Sequence, residues 1–262
     1  MTSDGPAPRL TAPSIAIVMP AWNEAERIGA TLDAIGAFRP DAAAPLPVYL
    51  ADDGSTDRTT GVAWDTAQRV GLTLEILRLP HRGKALTVRD AMLQVSGASD
   101  AEYLLMLDAD NEIAIDHLAR VDWSDDPNTI YIARRVREAG GRLGTTATPY
   151  RRLMSTGMRL AARLLLGLPY RDTQCGFKLF PRHLVFELFS QQRTATWVFD
   201  AEILVVARRS GIPIREVPVV WQPRGETRVG PAAAFTSAGG LLEIAFRRWT
   251  RRYLRVGSPK EH

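Results

Sequence analysis

The chain reads as an α/β protein, a mainly parallel β-sheet flanked by helices with an amphipathic helix at the C-terminal end. Three observations predict this. Short, almost wholly apolar runs such as SIAIVM (14–19) and EYLLML (102–107) alternate with stretches whose apolar residues recur at helical spacing. The runs lack the polar alternation of a half-exposed sheet, as strands covered on both faces should. Polar loops follow each run, where the carboxyl ends of parallel strands would gather.

In order, residues 14–19 predict the first strand and 24–38 the first helix. Residues 47–51 repeat the strand signal, and Ser55 or Thr56 can cap a helix running towards Val70. A third strand at 72–79 precedes a helix from about Lys84 to Val95, and a fourth at 102–107 precedes a short helix near Asp116. Residues 129–133 give a fifth strand. The pattern then changes to a helix from about Pro149 to Leu166 carrying Arg151, Arg152, Arg159 and Arg163, followed by a polar, Gly-containing stretch. A helix at 199–210, a strand at 214–220 and a helix at 231–254, weakened by Gly239 and Gly240, complete the series. The expected division is a disordered lead at 1–13, one α/β domain at 14–230, and a basic amphipathic helix and tail at 231–262.

With 262 residues and 45% hydrophobic content the chain can bury a sizeable core. The single cysteine, Cys175, cannot form an internal disulfide, and no CxxC or HExxH spacing offers a zinc site. No apolar run reaches the roughly 18–20 residues of a spanning helix, and 1–13 lacks a signal-peptide core, so a cytoplasmic protein is expected. The net charge of +4 conceals segregation: residues 100–126 hold nine acids and one base, whereas 134–171 hold nine arginines and one acid. Basic blocks seek anions. Nucleic acid is a poor fit, given the acidic block and the lack of a recognition motif. Arg78 and Ala85 break a Walker A pattern, and no GxGxxG follows the first strand, which argues against a nucleotide triphosphatase and a dinucleotide oxidoreductase.

Four polar loops should meet at one sheet edge: Pro20 to Glu24, Asp52 to Asp57, His81 to Lys84, and Asp108 to Glu112. Any one alone is an ordinary turn or helix cap. Asp108 and Asp110 can both aim oxygens at a hard cation, with Glu112 a third donor, which suits Mg²⁺ or Mn²⁺ bridging a diphosphate. Lys84 can contact phosphate; it is one of only three lysines beside 30 arginines.

PAWNE, DDGSTD, RGK and DAD, in this order and spacing, resemble a family 2 glycosyltransferase with the GT-A fold and its Rossmann-like sheet. DTQCGFKLF (172–180), WVFDAE (197–202) and EVPV (216–219) resemble the branch that makes dolichyl-phosphate glucose and dolichyl-phosphate mannose; the likeness covers about 15–230. It implies that Pro20, Trp22, Glu24, Ala51 and Asp53 hold the base and ribose of a nucleotide sugar. Lys84, Asp108, Ala109 and Asp110 would meet the diphosphate, with Asp108, Asp110 and Glu112 on the metal. Arg134 would face the reacting phosphates, and Arg151 and Ser155 match an acceptor-phosphate pair. Arg224 to Arg228 resembles a flexible loop in which Arg228 stands for the lysine that closes over the donor. Trp22 for the commoner Tyr and Ala85 for a Gly are departures, as is Glu112 where mannose enzymes often have Gln.

The expected function is inverting transfer of a hexose, first of all glucose from UDP-glucose, onto a polyprenyl phosphate. One alternative is a soluble hydroxyl acceptor, as in secondary metabolism, for which Asp200 is the first candidate general base and Glu202 the second; Asp200 could equally just start its helix. Another is a nucleotide-binding peripheral membrane module without chemistry. Leu242, Phe246, Trp249 and Tyr253 recur at helical spacing beside five arginines from Arg247 to Arg255, which suits either peripheral contact with the anionic inner face of a membrane or docking on the sheet.

Overall fold

The computed structural model describes residues 13–38, 46–124, 126–136, 157, 160–222 and 231–256, with the backbone alone for 231–235. Residues 1–12 of the expected lead, most of the helix expected at 149–166, and Arg151, Ser155, Arg224 and Arg228 lie outside the described residues.

Strands β1 (Ile15–Ala21), β2 (Val48–Asp52), β3 (Leu74–Arg78) and β4 (Tyr103–Leu107) alternate with helices α1 (Ile28–Ala37), α2 (Thr59–Val70) and α3 (Lys84–Ala98). A 3-10 turn (Ile115–Arg120) leads to β5 (Ile130–Val136). Then come α4 (160–166), β6 (Phe177–Pro181), α5 (Arg182–Phe189), α6 (Phe199–Arg209), β7 (Ile214–Val220) and α7 (Pro231–Trp249). The seven strands form one sheet in the order β3-β2-β1-β4-β6-β5-β7. Every pairing is parallel except those of β6, which runs antiparallel between β4 and β5. This is the GT-A fold.

Apolar residues cover both faces, which explains the unbroken hydrophobicity of the strands. On one face α1 and α2 bring Ile28, Leu32, Ile35, Ala63 and Ala67 onto Ile17, Met19 and Leu50. On the other, α3, α5, α6 and α7 pack on Val18, Leu104, Met106 and Ile132. Leu241 and Ile244 of α7, and Tyr253 beyond it, belong to this second core.

Three expectations are corrected. The polar stretch contains β6 and α5, hidden because Lys178 stands mid-strand and α5 starts directly after Pro181. α2 begins at Thr59, whose N–H Asp57 accepts at 2.9 Å. Ser55 and Thr56 instead stitch the β1 and β2 loops together: Ser55 Oγ accepts the Asn23 N–H at 3.0 Å, and Asn23 Oδ1 accepts the Thr56 N–H at 2.9 Å. Finally, α7 stops at Trp249, and Arg251 turns the chain with φ of 55°.

Candidate active site

β2 and β4 both flank β1, so their connections leave it in opposite directions and open a crevice at the carboxyl ends. Each of the four loops there turns through one left-handed residue: Asn23 (φ 52°), Gly54 (67°), Gly83 (88°) and Asn111 (53°). Glycine and asparagine are the residue types that take up this conformation at least cost. Paired Pro20 and Ala51 floor the crevice, both buried. Asp53 is buried, and its carboxylate accepts the Arg82 N–H at 2.8 Å and the Gly83 N–H at 3.0 Å, fixing the entry to α3. Trp22, 41% exposed, stacks on His81 with ring centroids 4.7 Å apart. Glu24 is held through its N–H, donated to Thr59 Oγ1 at 2.8 Å, and through an ion pair with Arg27 at 2.6 Å.

The acidic loop after β4 faces two ways. Asp108 takes the Lys84 ammonium at 2.5 Å, and its N–H donates to the Gly176 carbonyl at 3.0 Å. A Cβ at position 176 would overlap the Asp108 carboxylate, so any larger residue there would displace that carboxylate from its present position. Burial opposes the Lys84 charge, but Asp108, then Asp200 and Asp110, outweigh it and hold the ammonium above its usual value. Asp110 Oδ1 accepts the Glu112 N–H at 3.1 Å. Burial, then the Asp108 charge, push its carboxyl up to about 6. Glu112 accepts the Trp221 indole N–H at 2.7 Å. A cavity of about 60 Å³ lies between Asp108, Asp110, Glu112, Arg135, Gln174 and Trp221.

Arg135 is the arginine at this cavity, above the Trp221 ring at 5.7 Å and held by Asp172 at 2.6 and 3.2 Å. Strand alternation sends the half-buried Arg134 to the other face of β5, that of Ile132. The pair Arg134-Arg135 closing an apolar strand was the available signal for both.

Among the described residues no three His, Cys, Asp or Glu side chains converge as a ready metal site. The donor chemistry nonetheless fits a hard dication. Adjacent carboxylates in a partly buried cavity, one of them forced towards its neutral form, are relieved by a divalent positive charge.

Behind Asp108, Lys178 is fully buried and donates to Asp200 at 2.8 Å and to the Cys175 carbonyl at 2.5 Å. Asp200 is therefore an ion-pair partner and not a helix cap; Val198 occupies the cap position. Burial pushes the Asp200 carboxyl up against the pull of Lys178, and it pushes the Cys175 thiol up to about 12, too high for a nucleophile at neutral pH. Glu202 is excluded as a base. It is fully buried and saturated by the N–H groups of Arg193 (3.0 Å) and Thr194 (2.8 Å), the Tyr253 hydroxyl (2.7 Å) and Arg247 (3.2 Å). Its role is to dock α7 and the segment beyond it.

Carboxylates and a lysine thus gather in one sheet-edge crevice at the carboxyl ends of the strands, where open α/β sheets place their ligands. The chain belongs to glycosyl transferase family 2, whose sequence model matches residues 16–189. It is 31% identical to a dolichyl-phosphate beta-glucosyltransferase of Drosophila melanogaster, over 93% of this chain and 78% of that protein. It is 30% identical to the Homo sapiens protein of the same name, over 90% and 76%. Among solved structures, glucosyl-3-phosphoglycerate synthase of Mycobacterium tuberculosis with UDP superposes with TM-score 0.62 at 18% identity, covering 89% of this chain and 80% of that one. The same synthase with Mn²⁺, UDP and product gives 0.59 at 17% identity, over 95% and 82%.

Proposed function

We propose that this enzyme moves glucose from UDP-glucose onto a polyprenyl phosphate with inversion at the anomeric carbon. The observation carrying the proposal is that likeness to dolichyl-phosphate glucosyltransferases runs on past the donor loops. It continues through the 172–178 segment, whose Gly176 touches Asp108 and whose Lys178 anchors Asp200. Pro20, Trp22, Glu24, Ala51 and Asp53 hold base and ribose, and Arg224 and Arg228 serve donor closure. Asp108 and Asp110, with Glu112, hold Mg²⁺ or Mn²⁺, which neutralises charge on the diphosphate. Lys84 adds a second cation there.

An acceptor phosphate oxygen is already anionic near neutral pH, so no base is required. It attacks the anomeric carbon, a new C–O bond forms, and the electron pair of the breaking C–O bond leaves with UDP. Arg134, Arg151 and Ser155 orient the acceptor phosphate. Purified protein given UDP-glucose should glucosylate a short polyprenyl phosphate but not the matching polyprenyl alcohol or 3-phosphoglycerate, read by mass. Preference for either hydroxyl acceptor would refute the lipid-phosphate reading.

The enzyme would meet its lipid as a peripheral protein. No described helix is long and apolar enough to cross a membrane. Tyr253, expected in the outer stripe, is buried, whereas Leu242 (62%), Phe246 (55%) and Trp249 (83%) are exposed, with Leu164 (72%) and Leu254 (73%) also outward. Arg247 and Arg248 are committed to bonds with Glu202, Glu243 and the Leu165 carbonyl, so Arg251, Arg252 and Arg255 are the arginines left to meet anionic headgroups. Flotation with anionic liposomes should fall in Arg251→Glu/Arg255→Glu and in Trp249→Ser; equal flotation would count against the contact.

A further inference from the structure

The segment entering α6 sends Thr194 and residues 198–200 into the interior, while Arg193, Ala195 and the large aromatic Trp197 stay in the open. Thr194, Val198, Phe199 and Asp200 are each no more than 7% exposed, whereas Trp197 is 40% exposed. The backbone beneath it is fastened from several sides. Glu202 accepts the Arg193 and Thr194 N–H groups, and Gln174 reaches the Trp197 carbonyl at 3.5 Å. α7 presses on the segment so closely that a Cβ on Gly240 would come within 2.5 Å of Thr196 Oγ1 and 2.7 Å of Val198 Cγ2. The glycine that weakens α7 is thus the condition for this approach, and the indole stands on a rigid platform.

Its face is turned to the site. The Lys84 ammonium lies over the Trp197 ring at 5.8 Å from the centroid, and the same ammonium touches Asp108 at 2.5 Å. The ring therefore borders the place where the second phosphate of the donor is neutralised, and the hexose hangs from that phosphate. A pyranose presents C–H bonds on its faces, and their slightly positive hydrogens suit the negative face of an indole.

We propose that Trp197 is a sugar-recognition residue, the platform on which the donor hexose stacks. This rests on the nucleotide-sugar reading above and adds a contact made to the sugar and not to the nucleotide. The test is calorimetric binding of UDP and of UDP-glucose, each with Mn²⁺, to wild type, Trp197→Ala and Trp197→Phe. Trp197→Ala should bind UDP as wild type does and UDP-glucose about 2- to 10-fold more weakly, with Trp197→Phe recovering most of the loss. An exposed side chain can be removed without unfolding the protein, which an unchanged melting temperature would verify.

Equal weakening of both ligands would make Trp197 a nucleotide contact and overturn the proposal, as would no change in either. A raised KM for polyprenyl phosphate with intact UDP-glucose affinity would move the indole to the acceptor and overturn it too. Failure of wild type to use any polyprenyl phosphate would sink the acceptor assignment alone, because the binding comparison needs no acceptor. A wild type that binds neither UDP nor UDP-glucose would sink the donor reading and this proposal with it.

Discussion

Asp110→Asn is expected to abolish sugar transfer while making the metal-free protein more stable. Burial and the neighbouring Asp108 charge raise the Asp110 carboxyl from 3.8 to about 6. Because this folded-state value lies above the unfolded one, the ionised group costs stability. The cost builds as pH rises from about 4 to about 6 and is complete above that. At pH 7 the neutral amide should therefore gain roughly 1–3 kcal/mol, and near pH 4 the two proteins should melt alike. Turnover should be lost at every pH, since the diphosphate would no longer be neutralised, and excess chelator should silence wild type in the same way. Thermal unfolding at the two pH values beside a transfer assay checks this. An Asp110→Asn protein that stays active, or that is less stable than wild type at pH 7, would contradict it.

The Lys178–Asp200 pair should show the largest stability effect. Both groups are almost wholly buried, 2.8 Å apart, so removing one strands the other's charge in the interior. Asp200→Asn and Lys178→Met should each cost about 3–5 kcal/mol, whereas the apolar double replacement Lys178→Met/Asp200→Leu should cost much less. Denaturant titration of the three variants reads this directly. Kinetics of the folded fraction answer a separate question. If the acceptor is a phosphate, Asp200→Asn at low temperature keeps most of its specific activity. A drop of about 10²–10⁴-fold in folded protein would instead make Asp200 the base for a hydroxyl acceptor.

The N-terminal half of the sheet and its loops were legible because their signals are local. Apolar strands β1, β2 and β4 need no partner to be recognised, and the carboxylates of 52–53 and 108–112 follow them directly. β6 was not legible. A lysine in mid-strand looks solvent-facing until its partner, 22 residues on in α6, is known. Arg134 and Arg135, adjacent at a strand end, look equivalent in sequence, and only the sheet decides which face each meets. Glu202 looked like chemistry beside Asp200, yet two residues further along the helix it faces α7 and Tyr253 instead of the crevice. The scarcity of lysine proved informative. Two of the three, Lys84 and Lys178, sit in or directly behind the site, where a compact ammonium fits between carboxylates.

The central claim is that glucose is delivered to a lipid phosphate with inversion. The most direct measurement is to supply UDP-glucose labelled with ¹³C at C1, a short polyprenyl phosphate and Mn²⁺, and to read the product by mass and by the C1 coupling in its NMR spectrum. The account predicts one glucose per lipid phosphate, linked through phosphorus in the β configuration, with UDP released in equal amount. An α-linked product, or a label found on a hydroxyl acceptor while the lipid phosphate stays unmodified, would contradict it.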